Sequence, residues 1–206
     1  MSPPRIVIVG GAPGAGKTAL GNALALRLGV ASLSMDDLYS AAVAVTTSES
    51  HPALHCMRRR PALEYYTNSS VEALIEDAVA QHAALWPAIV AVIQQHSTYA
   101  PPIVLDGWFV TPRQIADLGL TSVVALWIVV APAELERRER QSGFTEGSAN
   151  PERMLVNFLA RSLWHNDRVD AEAQLLGQHR LLQDGALSVE DLCNEALERM
   201  GTGHDR

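Results

Sequence analysis

Four residues of this chain have types and positions suited to moving a phosphoryl group: Lys17, Thr18, Asp36 and Asp106. Lys17 and Thr18 close the stretch Gly11-Ala12-Pro13-Gly14-Ala15-Gly16-Lys17-Thr18, which follows the apolar run Ile6-Val7-Ile8-Val9. A packed core has little use for so many glycines. A loop that wraps an anion needs them, because glycine lets successive backbone N–H groups turn inward. The spacing fits GxxxxGK[ST], the Walker A pattern, with a strand expected before it and a helix after it. In that pattern the lysine brings a cation to the β- and γ-phosphates and the threonine hydroxyl ligates Mg²⁺. The helix that follows, with Ala19 in its first turn, adds its positive end. Of the 16 lysine and arginine residues, only Lys17 is a lysine. Residues 11–19 therefore read as a nucleoside-triphosphate site, with ATP and Mg²⁺ as the expected ligands.

Two aspartates stand at the ends of apolar runs. In open α/β sheets ligands bind beyond the carboxyl ends of the strands. Asp36, in Leu33-Ser34-Met35-Asp36-Asp37-Leu38-Tyr39, is placed to take or orient the proton of an attacking hydroxyl. One of Asp36 and Asp37 can equally cap the next helix, and both are carried as candidates on the acceptor side. Asp106, in Ile103-Val104-Leu105-Asp106-Gly107-Trp108, matches the Walker B pattern of an acid that binds Mg²⁺ directly or through water. Gly107 offers a close backbone approach to substrate, and Trp108 stands next to it.

Arginines form the third group. Glu136-Arg137-Arg138-Glu139-Arg140 runs into the polar stretch 142–150. Arginines beside such a loop can close over phosphates and offset charge in the transition state. Arg137 and Arg140 are the catalytic candidates there. Glu–Arg pairs at helical spacing on a solvated face are the alternative. His55, Arg58 and Arg59 belong to the one basic run of an acidic chain, and guanidinium forks suit phosphate or carboxylate. Arg161 sits on an apolar helical face, where a buried guanidinium needs an anionic partner, either substrate phosphate or Asp106.

The elements that must position these groups follow from patterning. Apolar runs at 6–9, 31–33, 103–105, 123–130 and 180–182 suit strands of a parallel sheet buried on both faces. Helical patterns fill 17–28, 71–95, 112–118, 132–141, 151–176 and 189–200. Strands alternating with helices imply βαβ units and a three-layer α/β domain. Pro112, Pro132 and Pro151 suit helix first turns, Asn150 suits an N-cap, and Pro87 should kink or divide its helix. With 206 residues and no linker, one domain is expected. Net charge is −7 and the pI is near 5.4, which argues against a nucleic-acid surface. Cys56 and Cys193 fit no metal spacing and read as reduced thiols. No run is long enough to cross a bilayer, and no signal-peptide pattern opens the chain. A cytoplasmic protein, monomer or homodimer, is expected.

Together, GGAPGAGKT, Asp36-Asp37 and Asp106-Gly107 resemble the small P-loop kinases, such as shikimate, gluconate, uridine and adenylate kinases. The resemblance implies a five-stranded parallel sheet of order 2-3-1-4-5, a substrate-binding insertion at about 40–95 and a lid at about 137–152. It implies transfer of the γ-phosphate of ATP to a hydroxyl of a small metabolite. Residues 46–55 are similar to a segment of proteins resembling 2-phosphoglycerate kinase. No arginine stands where the DGFPR segment of adenylate kinases has one, and the motifs that read nucleoside monophosphates are absent. An ATP-dependent switch, or a kinase for an antibiotic or nucleoside, is the alternative.

Overall fold

The computed structural model describes residues 4–58 and 60–201. Its sheet has five parallel strands in the order β2-β3-β1-β4-β5: β1 (Ile6–Gly11), β2 (Ala31–Ser34), β3 (Ile103–Gly107), β4 (Val123–Val130) and β5 (His179–Gln183). Every residue of β1 and β3 is buried. The two faces of β1 explain why its sequence does not alternate in polarity. Ile6 and Ile8 enter one core with Leu105, Met35, Leu85, Ile89 and Ile93. Val7 and Val9 enter a second core with Leu20, Leu24, Leu135, Leu192 and Ala196. A strand covered on both sides must be apolar at every position.

Helices supply those two covers. The first layer holds α2 (Met35–Ala44), α4 (Val71–Thr98), α5 (Pro112–Asp117) and part of α7 (Pro151–Leu175). The second holds α1 (Lys17–Leu28), α6 (Pro132–Gln141) and α8 (Val189–Arg199). A short α3 (Ala62–Asn68) packs on α7 with its own small core of Tyr65, Tyr66, Leu74, Met154 and Phe158. Helix starts follow the expected chemistry. Asn150 accepts from the Arg153 N–H at 3.1 Å, and Ser188 and Asp191 form a capping box.

Three local expectations are corrected. Pro87 does not divide its helix, since α4 runs unbroken through it. Neither Asp36 nor Asp37 caps α2; Ser34 does, accepting from the Asp36 N–H at 3.3 Å. The space beside Gly107 is filled by Met35. A Cβ there would lie 2.5 Å from the Met35 Cβ, so the glycine is required by the seat of α2 on β3. Gly107→Ala is expected to destabilise the fold by about 1–3 kcal/mol, as overpacking does. A calorimetric melt indistinguishable from the unmodified protein would refute this.

Candidate active site

The carboxyl ends of β1, β2 and β3 lie side by side, and register brings the candidates together. Asp106 pairs with Val9 on one side and with Ser34 on the other. Helix α2 therefore starts one residue beyond the Asp106 neighbour, and the loop after β1 starts at Ala12, three residues beyond Val9. Segments separated by some seventy residues in sequence reach one point because parallel strands all end at the same edge.

The loop itself is shaped by backbone geometry that favours glycine. Gly14 and Gly16 have φ of 78° and 97°, left-handed values that cost a side chain dearly. Gly16 is also the N-cap of α1, and no side chain caps that helix. The first turn of α1 thus presents its open N–H groups and positive end to the loop's interior. Ala12 and Ala15 are buried in the core beneath, while Pro13, Gly14, Gly16, Lys17, Thr18 and Ala19 line a cavity of about 420 Å³.

Lys17 is 8% exposed and donates from Nζ to the Ala12 carbonyl at 2.7 Å. Burial pulls its pKa from 10.5 down to about 8, opposed by the negative fields of Asp36, Asp106 and Glu139. Thr18 Oγ1 donates to Asp106 Oδ2 at 2.7 Å. The Asp106 carboxyl is held above its ordinary range by burial, against the Thr18 bond and Lys17. Asp36 stands at the solvent-open mouth of the cavity. Its carboxyl too is raised by the protein around it, with Lys17 pulling the other way and Asp37 adding to the rise. Asp37 is exposed and does not line the cavity.

Thr18 and Asp106 fit a Mg²⁺ site of the sparse kind. That ion usually takes one or two protein ligands and fills the rest with water and phosphate oxygens. Among the described residues no cluster of three or more His, Cys, Asp or Glu side chains could hold a metal by itself. The hydroxyl and carboxylate 2.7 Å apart are therefore suited to a metal that arrives with its nucleotide.

Beyond Asp36 the same cavity continues into an aromatic chamber lined by Tyr39, Tyr66, Trp108, Phe109 and Phe158, with Gln81 and Arg161 among them. Arg161 is 2% exposed. The expected partner Asp106 is bonded to Thr18 instead. Loop 142–150 closes on this chamber: Phe144 packs edge-on against Tyr66 and lies 4.7 Å from Phe158, and Ser148 bonds Thr67 at 2.9 Å.

Other expected site residues lie elsewhere. Arg137 is bonded to Glu134 and Gln141. Arg140 is bonded to Glu136 and doubly to Glu152 at the start of α7. Both are about half exposed, and neither lines the cavity. Arg138 takes the position beside the loop, donating to the Ala15 carbonyl at 3.1 Å. Glu139 packs against Gly14 and is nearly buried, its carboxyl raised by burial and drawn back by Arg161 and Lys17. His55 bonds Thr46 at 3.0 Å outside the cavity. Arg58 is exposed; burial raises the pKa of the cavity-lining Tyr39 hydroxyl, and Arg58 is close enough to oppose that rise. Arg59 lies outside the described residues.

No protein-family model matches the chain, and no curated protein matches it in sequence. Solved structures do match in shape. A shikimate kinase from Bacteroides thetaiotaomicron superposes with a TM-score of 0.58 at 15% identity, over 95% of this chain and 98% of that one. Over nearly its whole length the chain shares the fold of that kinase. A gluconokinase from Sinorhizobium meliloti 1021 gives a TM-score of 0.56 at 17% identity, over 97% of this chain and 92% of that one. A sugar kinase from Janibacter sp. HTCC2649 gives 0.51 at 15% identity, over 98% of this chain and the whole of the other. The strand order implied by the sequence resemblance is the order present. No described helix is long and apolar enough to cross a membrane.

Proposed function

We propose that the chain is an ATP- and Mg²⁺-dependent phosphotransferase that moves the γ-phosphate to a hydroxyl of a small metabolite. One observation carries this reading: a single cavity joins the glycine loop and Lys17 to Asp36 and a separate aromatic chamber. A nucleotide switch needs the first half of that cavity and has no use for the second.

The roles follow from position. Loop N–H groups and Lys17 hold the phosphates, and Thr18 with Asp106 would hold Mg²⁺. When bound, the metal would neutralise negative charge on the phosphates. Asp36 faces the acceptor. As the acceptor oxygen bonds to phosphorus and the bridging P–O bond to ADP breaks, the hydroxyl proton passes to the Asp36 carboxylate. A carboxyl pKa raised by its surroundings makes a better base than an ordinary surface aspartate. Arg138, on the loop carbonyls, fixes the loop's shape. Most of the rate enhancement is positioning and preorganised charge.

Lys17 gives the reading a pH signature. With its pKa near 8 in the empty site, it loses its proton above that pH, and bound phosphates favour the charged form. Nucleotide affinity should fall about tenfold per pH unit above about 8, with proton uptake on binding there and little near pH 7. Calorimetry in buffers of different ionisation enthalpy measures the uptake. Binding with no net proton change at pH above 8 would count against the role of Lys17.

The first test of function is ADP release from Mg²⁺-ATP over a panel of hydroxylated metabolites, with Lys17→Ala as control. Lys17-dependent stimulation by one class establishes the kinase. ATP binding without stimulation by any class, together with stimulation by a protein partner, would establish the switch instead.

A further inference from the structure

Arg161 is a buried cation with no ion-pair partner among the described residues. Its guanidinium is 2% exposed. No carboxylate among the described residues pairs with it within 4.0 Å. Among the described residues its one hydrogen bond runs from Nη1 to the Tyr66 hydroxyl at 2.9 Å, and its buried Nε has no partner there. Three rings surround it, with centroids 5.0 Å (Tyr66), 4.8 Å (Trp108) and 5.1 Å (Phe158) from the guanidinium carbon. Cation–π contacts of this kind offset only part of the cost of desolvating a charge. His82 and His165 pack beneath Trp108. Burial keeps both imidazoles neutral, so they neither repel the guanidinium nor neutralise it. Glu139 acts on Arg161 from a distance and is shared with Lys17.

A guanidinium in this state, on the wall of a cavity, is a receptor for an anion. Resting on the kinase reading above, we infer that the acceptor alcohol also carries a carboxylate or phosphate monoester, and that Arg161 binds it. The aromatic walls fix the guanidinium plane, so its fork is already oriented before the acid arrives, and less freedom is lost on binding. Asp36 and Arg161 would then grip opposite ends of one molecule, a hydroxyl at the first and an acid group at the second. A neutral sugar or an aminoglycoside offers nothing to the second grip, and a cation is repelled by it.

The test uses binding as well as turnover. The full chain loaded with Mg²⁺-ADP is titrated with hydroxy acids such as D-glycerate, D-gluconate and shikimate, with glycerol 3-phosphate, and with glycerol as neutral control. Thermal shift and tryptophan emission are read, with Trp108→Phe assigning the emission change to the ring beside Arg161. A carboxylate or a phosphate ester should bind and glycerol should not, and the two charged arms separate the two anion types. Arg161→Met should weaken the bound acid at least about 30-fold. The empty variant should melt no lower than the unmodified protein, because replacing an uncompensated buried charge by an apolar side chain is neutral or stabilising. Arg161→Lys should recover part of the affinity.

The inference fails if no acid in the panel binds. It fails equally if Arg161→Met lowers the melting temperature of the empty protein and leaves acid binding intact, since Arg161 would then be structural. The kinase reading fails separately: acids bound through Arg161 with no ADP released from Mg²⁺-ATP would leave an anion pocket without transfer. A neutral alcohol phosphorylated equally well by the unmodified protein and by Arg161→Met would keep the kinase and end this inference.

Discussion

Lys17→Ala should lower ATP-dependent turnover by about 10³-fold or more. Loss of a single preorganised donor to developing negative charge already removes about 10²–10³ in rate, and single cationic contacts to the phosphoryl group reach higher. No neighbour can take over. Arg138 is committed to the loop carbonyls, and Arg161 sits in its aromatic cage on the acceptor side. The variant should fold. It removes a cation that burial has already made unfavourable, and the alanine replaces a single bond to the Ala12 carbonyl. A melting temperature at or above that of the unmodified protein, beside lost turnover, separates chemistry from unfolding. Turnover within tenfold of the unmodified rate would overturn the assignment of the loop.

Asp36→Asn should cost about 10²–10⁴-fold in kcat, the usual range for removing a positioned general base. The KM for ATP should move far less, because the phosphates lie on the loop and Lys17. Asp37 is the internal control. It has the same side chain one residue away, but it is exposed and off the cavity, so Asp37→Asn should change kcat by less than about threefold. If Asp37→Asn proved the more damaging of the two, the acceptor would have to enter from another side. The raised carboxyl pKa of Asp36, the proposed base, also places the acid limb of the pH–rate profile above that of a free aspartate.

What the sequence allowed depended on how local each feature was. The loop at 11–18 and the strand ending in Asp106 are contiguous, and the register of parallel strands does the rest, so both were readable. The acceptor chamber was not. Tyr66, Gln81, Trp108 and Phe158 come from α3, α4, the end of β3 and α7, and they meet only because those helices pack together. Nothing in one-dimensional spacing reports that packing. Phe158 was within reach, since it precedes Arg161 by three residues on one helix and so shares its face. The arginine run shows the same lesson. Leu135 is the fully buried residue of α6, and positions three and four beyond it, Arg138 and Glu139, share its side of the helix. Phasing α6 from Leu135 would have chosen those two over Arg137 and Arg140. Gly107 misled because a glycine vacates space for whatever comes next to it, and here that was Met35.

The lone ε-amino group of this chain is also its most informative one. A lysine-specific protease has one bond to cut, between Lys17 and Thr18, and that bond joins the glycine loop to the first turn of α1. With Lys17 buried against the Ala12 carbonyl, cleavage requires the loop to come open, and its rate counts those openings. Two fragments from one cut, with no competing site anywhere in the sequence, make the glycine loop a clock for its own local unfolding.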